Sequence, residues 1–114
     1  MLSLDALREY GANVDAGLTR CMNNEQFFFR MIGMLMNDTG VEKLESALAS
    51  KDLAAAFEIA HAMKGVVGNL ALEPIYRPVS EMTELLRAGK EADYDAYLTQ
   101  IRARFEELES ICRN

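Results

Sequence analysis

The only histidine of the chain, His61, heads the run His61-Ala62-Met63-Lys64-Gly65-Val66-Val67-Gly68-Asn69-Leu70. Lys64 follows three positions on, Gly65 four and Gly68 seven, spacings that bring all four to one face of a helix. Imidazole titrates near neutrality, so an unprotonated ring nitrogen is available as a nucleophile in neutral solution. One nitrogen attacks while the other keeps its proton. In-line phosphoryl transfer asks chiefly for positioning and charge neutralisation. A lysine one turn from the ring, with two positions beside it that carry no side chain, suits a phosphoryl acceptor.

A helical wheel tests where the ring points. With His61 at zero, Ile59, Leu70 and Met63 fall at about 160°, 180° and 200°, Val66 at about 140° and Ala56 at about 220°. The expected apolar stripe is therefore opposite the histidine. Phe57, Glu58, Lys64, Gly65 and Gly68 lie within roughly 60° of it. This excludes a core histidine and leaves an ordinary exposed one as the competing reading. The glycines argue against that competitor. Each costs a helix up to about 1 kcal/mol relative to alanine, and on a polar face the expected reason for them is room for another molecule, with a fraying helix C-terminus as the alternative for Gly68.

The chain lacks the rest of a kinase. It has no glycine-rich phosphate loop of the G-x-x-x-x-G-K-[ST] kind and no acidic cluster spaced for Mg²⁺. The phosphoryl group must come from another protein, which would supply the metal and the leaving group. A formal charge of −6 argues against nucleic acid as a partner, which needs a basic face. Cys21, Cys112 and His61 are too widely spaced for a zinc site, and the expected state of the two cysteines is reduced thiols. The N-terminus lacks the basic start and apolar stretch of an export signal. The most apolar run, Phe27 to Met36, is interrupted by Arg30 and is too short to span a membrane. These features predict a cytoplasmic location.

Helical periodicity must position these residues. It runs through almost all of the 114 positions, with no alternating strands or hairpin turns. The N-terminal stretch predicts one short helix or two, broken near Gly11-Ala12-Asn13. A longer helix starts near Asn24, with Asn23 or Asn24 as cap and Phe28, Ile32 and Leu35 in register, and closes at Asn37-Asp38. Thr39-Gly40-Val41-Glu42 fits a capping box for a helix to about Ser50. Asp52 suits the cap of the helix that carries His61 to about Leu70. Pro74 suits the first turn of the next helix, whereas Pro78 implies either a later start or a kink. Gly89 ends that helix. The last shows a stripe of Tyr94, Tyr97, Leu98, Ile101, Phe105, Leu108 and Cys112. Four substantial helices with short links predict an all-α fold, an antiparallel up-down four-helix bundle with one or two short N-terminal accessory helices, as a single domain over 1–114.

The run His61 to Leu72 resembles the signature of histidine-containing phosphotransfer (HPt) domains: His, any residue, an apolar residue, Lys, Gly, two small residues, then often Gly and a later apolar residue. The segments Gly11 to Arg20 and Asn24 to Phe27 resemble the family's N-terminal pattern. The resemblance implies a bundle in which His61 takes a phosphoryl group from a receiver-domain aspartate and passes it to another. Lys64 would assist with charge, Gly65 and Gly68 would leave room for the receiver, and Phe57 would join the docking rim. It also implies a polar side chain on the next helix that orients the imidazole. Thr83 falls near that position, with Arg87 one turn further as a second cation. Val66 and Val67 replace the usual small pair; Val66 is expected to point coreward and Val67 to the side. Ala71, where glycine is common, is expected to be a small change.

The partners so implied are receiver domains of response regulators or hybrid histidine kinases. No cofactor or metal is expected on this chain, with Mg²⁺ on the receiver. The expected state is a monomeric phosphocarrier without kinase activity of its own, and the start at Met1 leans towards a free-standing protein. A non-catalytic helical module that binds receiver or kinase domains is the alternative. The phosphoacceptor region of a histidine kinase fits poorly, because Ala62-Met63-Lys64-Gly65 lacks the acidic residue and proline typical of that family.

Overall fold

The computed structural model describes residues 2–113, and they form seven helices and no strand. Helices α1 (Leu4–Tyr10) and α2 (Val14–Arg20) make up the N-terminal piece. The break between them has a local cause. Gly11 takes the left-handed conformation at φ +112°, which glycine adopts without a Cβ clash, and the Asn13 side chain then accepts from the Ala16 N–H to start α2. Helix α3 is Glu25–Asn37, α4 Val41–Ala49, α5 Leu53–Asn69, α6 Glu73–Arg87 and α7 Tyr94–Arg113. Asn24 caps α3 through the Phe27 N–H, Asp52 caps α5 through Ala55, and Asp93 caps α7 through Ala96. Each such bond satisfies an orphan donor and contributes about 1 kcal/mol.

Two local expectations are corrected, and the alternative left open at Pro78 is decided. Thr39 does not form a capping box with Glu42: its hydroxyl accepts from the Val41 N–H, while Gly40, at φ +84°, is the cap residue of α4 and has no side chain to contribute. Helix α6 begins at Glu73 rather than near Pro78 and runs through that proline, whose ring is buried. The missing N–H leaves the Pro74 carbonyl without its helical partner. Ala71 is not a small change. It stands in the left-handed region at φ +58°, which costs a residue with a Cβ on the order of 1 kcal/mol. Its carbonyl accepts from the Asn13 N–H at 2.9 Å, so the strained turn after α5 also anchors the cap of α2.

Helix α5 packs most extensively on α6; α6 packs on α7, and α4 on both α5 and α7, so these four close around one core. Phe28, Ile32, Leu44, Leu72, Met82, Ile101 and Leu108 are fully enclosed in it. Helix α1 lies on α7, and α2 joins α1 to α3. Close approach at α2 depends on Gly17, where a Cβ would meet the Phe28 ring at 2.7 Å and the Leu70 carbonyl oxygen at 3.0 Å. Cys21 is buried, Cys112 is half-buried, and both are free.

The anchoring of α1 is sensitive to alkali. The Tyr10 hydroxyl donates to the Arg104 carbonyl at 2.8 Å. Burial raises the phenol well above its ordinary range, Glu107 adds to this, and Arg104 opposes it. The native state therefore keeps a proton that the unfolded chain releases near pH 10. The associated stability is fully present below that pH and is lost as pH rises above it.

Gly17→Ala is expected to cost about 1–3 kcal/mol by overpacking. Gly33→Ala, which meets nothing within 4 Å, is expected to gain up to about 1 kcal/mol; urea denaturation at neutral pH checks both. Tyr10→Phe is expected to lose about 1 kcal/mol at pH 8 with its hydrogen bond. The same variant should lose stability less steeply than the parent chain between about pH 10 and 12, as measured by denaturation midpoints across that range.

Candidate functional site

The site is assembled on α5 and completed by α6. Ala56, Ala60, Met63 and Val67 are the buried residues of α5, so the buried stripe is centred between Ala56 and Val67. That is a rotation of roughly 50° from the stripe expected on the wheel. The two valines exchange roles accordingly: Val67 is fully buried, whereas Val66 is 44 % exposed and points away from the core. The cause is α6, which lies against the flank of α5 that carries Phe57, Lys64 and Gly68. His61 remains exposed, beside exposed Gly65 and Ala62.

Three contacts define the α5–α6 seam. Arg87 Cζ lies 4.9 Å above the Phe57 ring centroid, Lys64 Nζ is 3.6 Å from Glu84 Oε2, and a Cβ on Gly68 would meet the Tyr76 ring at 2.9 Å. Residue numbers rise along α5 as they fall along α6, so the two helices run antiparallel. Phe57 also stacks on the imidazole, with ring centroids 5.4 Å apart and planes 20° from parallel. Glu84 binds a second cation, since its Oε1 is 3.4 Å from Arg87 Nε. The imidazole is thus linked through Phe57 to Arg87, through Arg87 to Glu84, and through Glu84 to Lys64.

On its other side His61 opens onto a groove of about 560 Å³ that Lys64, Gly65, Gly68, Tyr76 and Arg20 also line. Arg20 comes from α2, and its guanidinium donates to the Gly68 carbonyl at 2.5 Å. Among the described residues no group of three or more His, Cys, Asp or Glu side chains is placed to hold a metal ion, and no helix is long and apolar enough to cross a membrane.

His61, Lys64, Gly65, Phe57 and Arg87 therefore come together, but two expectations change. Thr83 is fully buried and donates its hydroxyl proton to the Val79 carbonyl at 2.7 Å, so it is not presented to the exposed imidazole; the ring's neighbour is Phe57. Gly68 has a packing reason of its own, because Tyr76 fills the space that a side chain would take. Of the two glycines beside His61, only Gly65 leaves an added Cβ with nothing within 4 Å. Glu84, Arg20 and Tyr76 escaped the sequence reading. Glu84 stands three residues before Arg87, a spacing that signals a helical ion pair. Arg20 and Tyr76 reach the groove through tertiary packing and leave no local signature.

A family model described as Hpt domain matches residues 34–111, a stretch that contains α4 to most of α7 and the whole α5–α6 seam. The chain belongs to the Hpt domain family. No curated relative and no solved structure matches it. Hpt domains are helical phosphocarriers that work in phosphorelays with the receiver domains of two-component systems. In this Hpt domain α1, α2 and most of α3 lie before the matched stretch, and they include Arg20 of the groove.

The two glycines should respond differently to substitution. Gly65→Ala is expected to raise stability by up to about 1 kcal/mol, the helix-propensity gain. Gly68→Ala is expected to gain nothing or to lose up to about 1 kcal/mol, because the Tyr76 ring must shift. Thermal and urea unfolding of the two variants measure the difference.

Proposed function

We propose that this chain is a phosphorelay intermediate. His61 accepts a phosphoryl group from a receiver-domain aspartate and passes it to a second receiver. The observation that carries this reading is an exposed imidazole with Lys64 one turn away and open space over Gly65, inside the stretch that matches the Hpt family.

The chemistry follows from the side chains. The lone pair of the unprotonated ring nitrogen forms the N–P bond while the P–O bond to the aspartate breaks. The bonding electrons stay on the carboxylate, and the other ring nitrogen keeps its proton. Stacking on Phe57 limits the ring orientations and so favours in-line approach. Lys64 neutralises part of the charge on the phosphoryl oxygens. Gly65 lets the receiver's backbone approach the ring closely. The divalent metal and the leaving group belong to the receiver, so the chain has no kinase activity of its own and needs no cofactor.

In this reading α4 to α7 form the antiparallel up-down bundle, α1 and α2 are accessory, and residues 1–114 act as one cytoplasmic, monomeric unit. The partners are receivers of response regulators or hybrid kinases. The acidic chain, with its charge of −6, leaves nucleic acid aside.

Incubation with a phosphorylated receiver tests the proposal. The expected product is acid-labile, base-stable label on the wild-type chain and none on His61→Gln. Lys64→Ala is expected to slow transfer by about tenfold to a hundredfold with docking retained. Gly65→Gln is expected to fold normally and slow transfer at least as much by obstructing approach. Equal labelling of wild type and His61→Gln would refute the assignment. Full receiver binding without any transfer would favour the non-catalytic binding module instead.

A further inference from the structure

One carboxylate stands between the two cations of the site, and neither the reaction nor the fold requires it there. Glu84 is a half-exposed side chain on α6 that holds Lys64 at 3.6 Å with one oxygen and Arg87 at 3.4 Å with the other. A negative charge beside a phosphoryl acceptor opposes the reaction unless it has a use. The two cations it holds are not equivalent. Arg87 is fixed a second time, against the Phe57 ring, and its planar guanidinium suits both contacts at once. Lys64 is a single ammonium on a flexible stem, three residues from His61 and on the same groove.

We propose that Glu84 is a positioning residue that sets how strongly His61 retains its phosphoryl group; this rests on the acceptor role given above for His61. With His61 bare and neutral, Lys64, Arg87 and Glu84 sum to one positive charge. Transfer of the phosphoryl group from an aspartyl phosphate brings one net negative charge to the ring. Lys64 then turns from Glu84 to the phosphoryl oxygens. Glu84 is not left unpaired, because Arg87 stays with it. Competition between carboxylate and phosphoryl group for the same ammonium weakens retention and eases onward transfer. A relay intermediate needs that balance, since a group held too firmly is not passed on.

The sign of the effect is testable. Glu84→Gln leaves both cations uncompensated and should shift the phosphoryl equilibrium between the chain and a receiver towards phosphorylated His61. The expected shift is about threefold to tenfold, the size of a unit-charge interaction across a partly solvated gap of roughly 7 Å. It should shrink as ionic strength rises. Glu106→Gln, which changes net charge by the same amount on exposed α7 surface, is the control and should leave the ratio near that of wild type. A ratio for Glu84→Gln equal to that of Glu106→Gln, or shifted towards the receiver, would overturn the proposal. Loading with phosphoramidate, whose P–N bond breaks to release ammonia, provides a test without a receiver. The Lys64 ammonium resonance in ¹⁵N NMR should move on loading in wild type, and should already differ from wild type in unloaded Glu84→Gln. A Lys64 resonance unmoved by loading would overturn the proposal even where relay activity is intact. Loading by phosphoramidate with no exchange to any receiver would instead count against the relay function alone.

Discussion

The antiparallel seam between α5 and α6 is the constraint on which the rest of the molecule depends. It is the most extensive helix contact in the fold, and at Gly68 the absence of a side chain leaves the space that the Tyr76 ring of α6 fills. Side chains from both helices meet at the edge of the seam. That edge contains Phe57, Lys64, Glu84 and Arg87, and His61 stands just outside it. Separation of the two helices would break the contacts that cross the seam, Lys64 with Glu84 and Arg87 with the Phe57 ring.

Charge and packing are joined at that edge. Taken singly, a half-exposed ion pair contributes little. Here the Lys64–Glu84 and Glu84–Arg87 contacts share one carboxylate, and Arg87 also rests on the aromatic ring that stacks against the imidazole. Rotation of any one member disturbs the others. The imidazole is thus held from one side only, by an apolar face, while its remaining surroundings are open to a partner.

Much of the helix pattern could be read directly from residue types, because caps and breakers act locally. Asn24 and Asp52 start their helices as their side-chain chemistry predicts, and the break at Gly11-Ala12-Asn13 follows from a left-handed glycine and an asparagine cap. Where a side chain points is a tertiary property. The apolar residues of α5 alone do not show where α6 lies, and for that reason Val66 and Val67 exchange the positions that helical periodicity gives them. Thr83 has the right placement along α6 for a polar contact but lies on the buried side, where its hydroxyl turns back to the helix. Gly68 belongs to Tyr76, a partner that no local spacing announces. The grouping of His61, Lys64 and Gly65 was legible because all three stand within little more than one turn of the same helix.

Arg20 extends the site beyond the stretch that defines the family. The last carbonyls of a helix carry partial negative charge, and the Arg20 guanidinium sits on one of them, at Gly68 near the end of α5. An incoming phosphoryl group would otherwise meet that negative pole in the same groove. In the proposed relay role, α2 would supply a tethered counter-ion to the helix that carries His61. Loss of the Arg20 charge alone would alter the electrostatic potential of the groove.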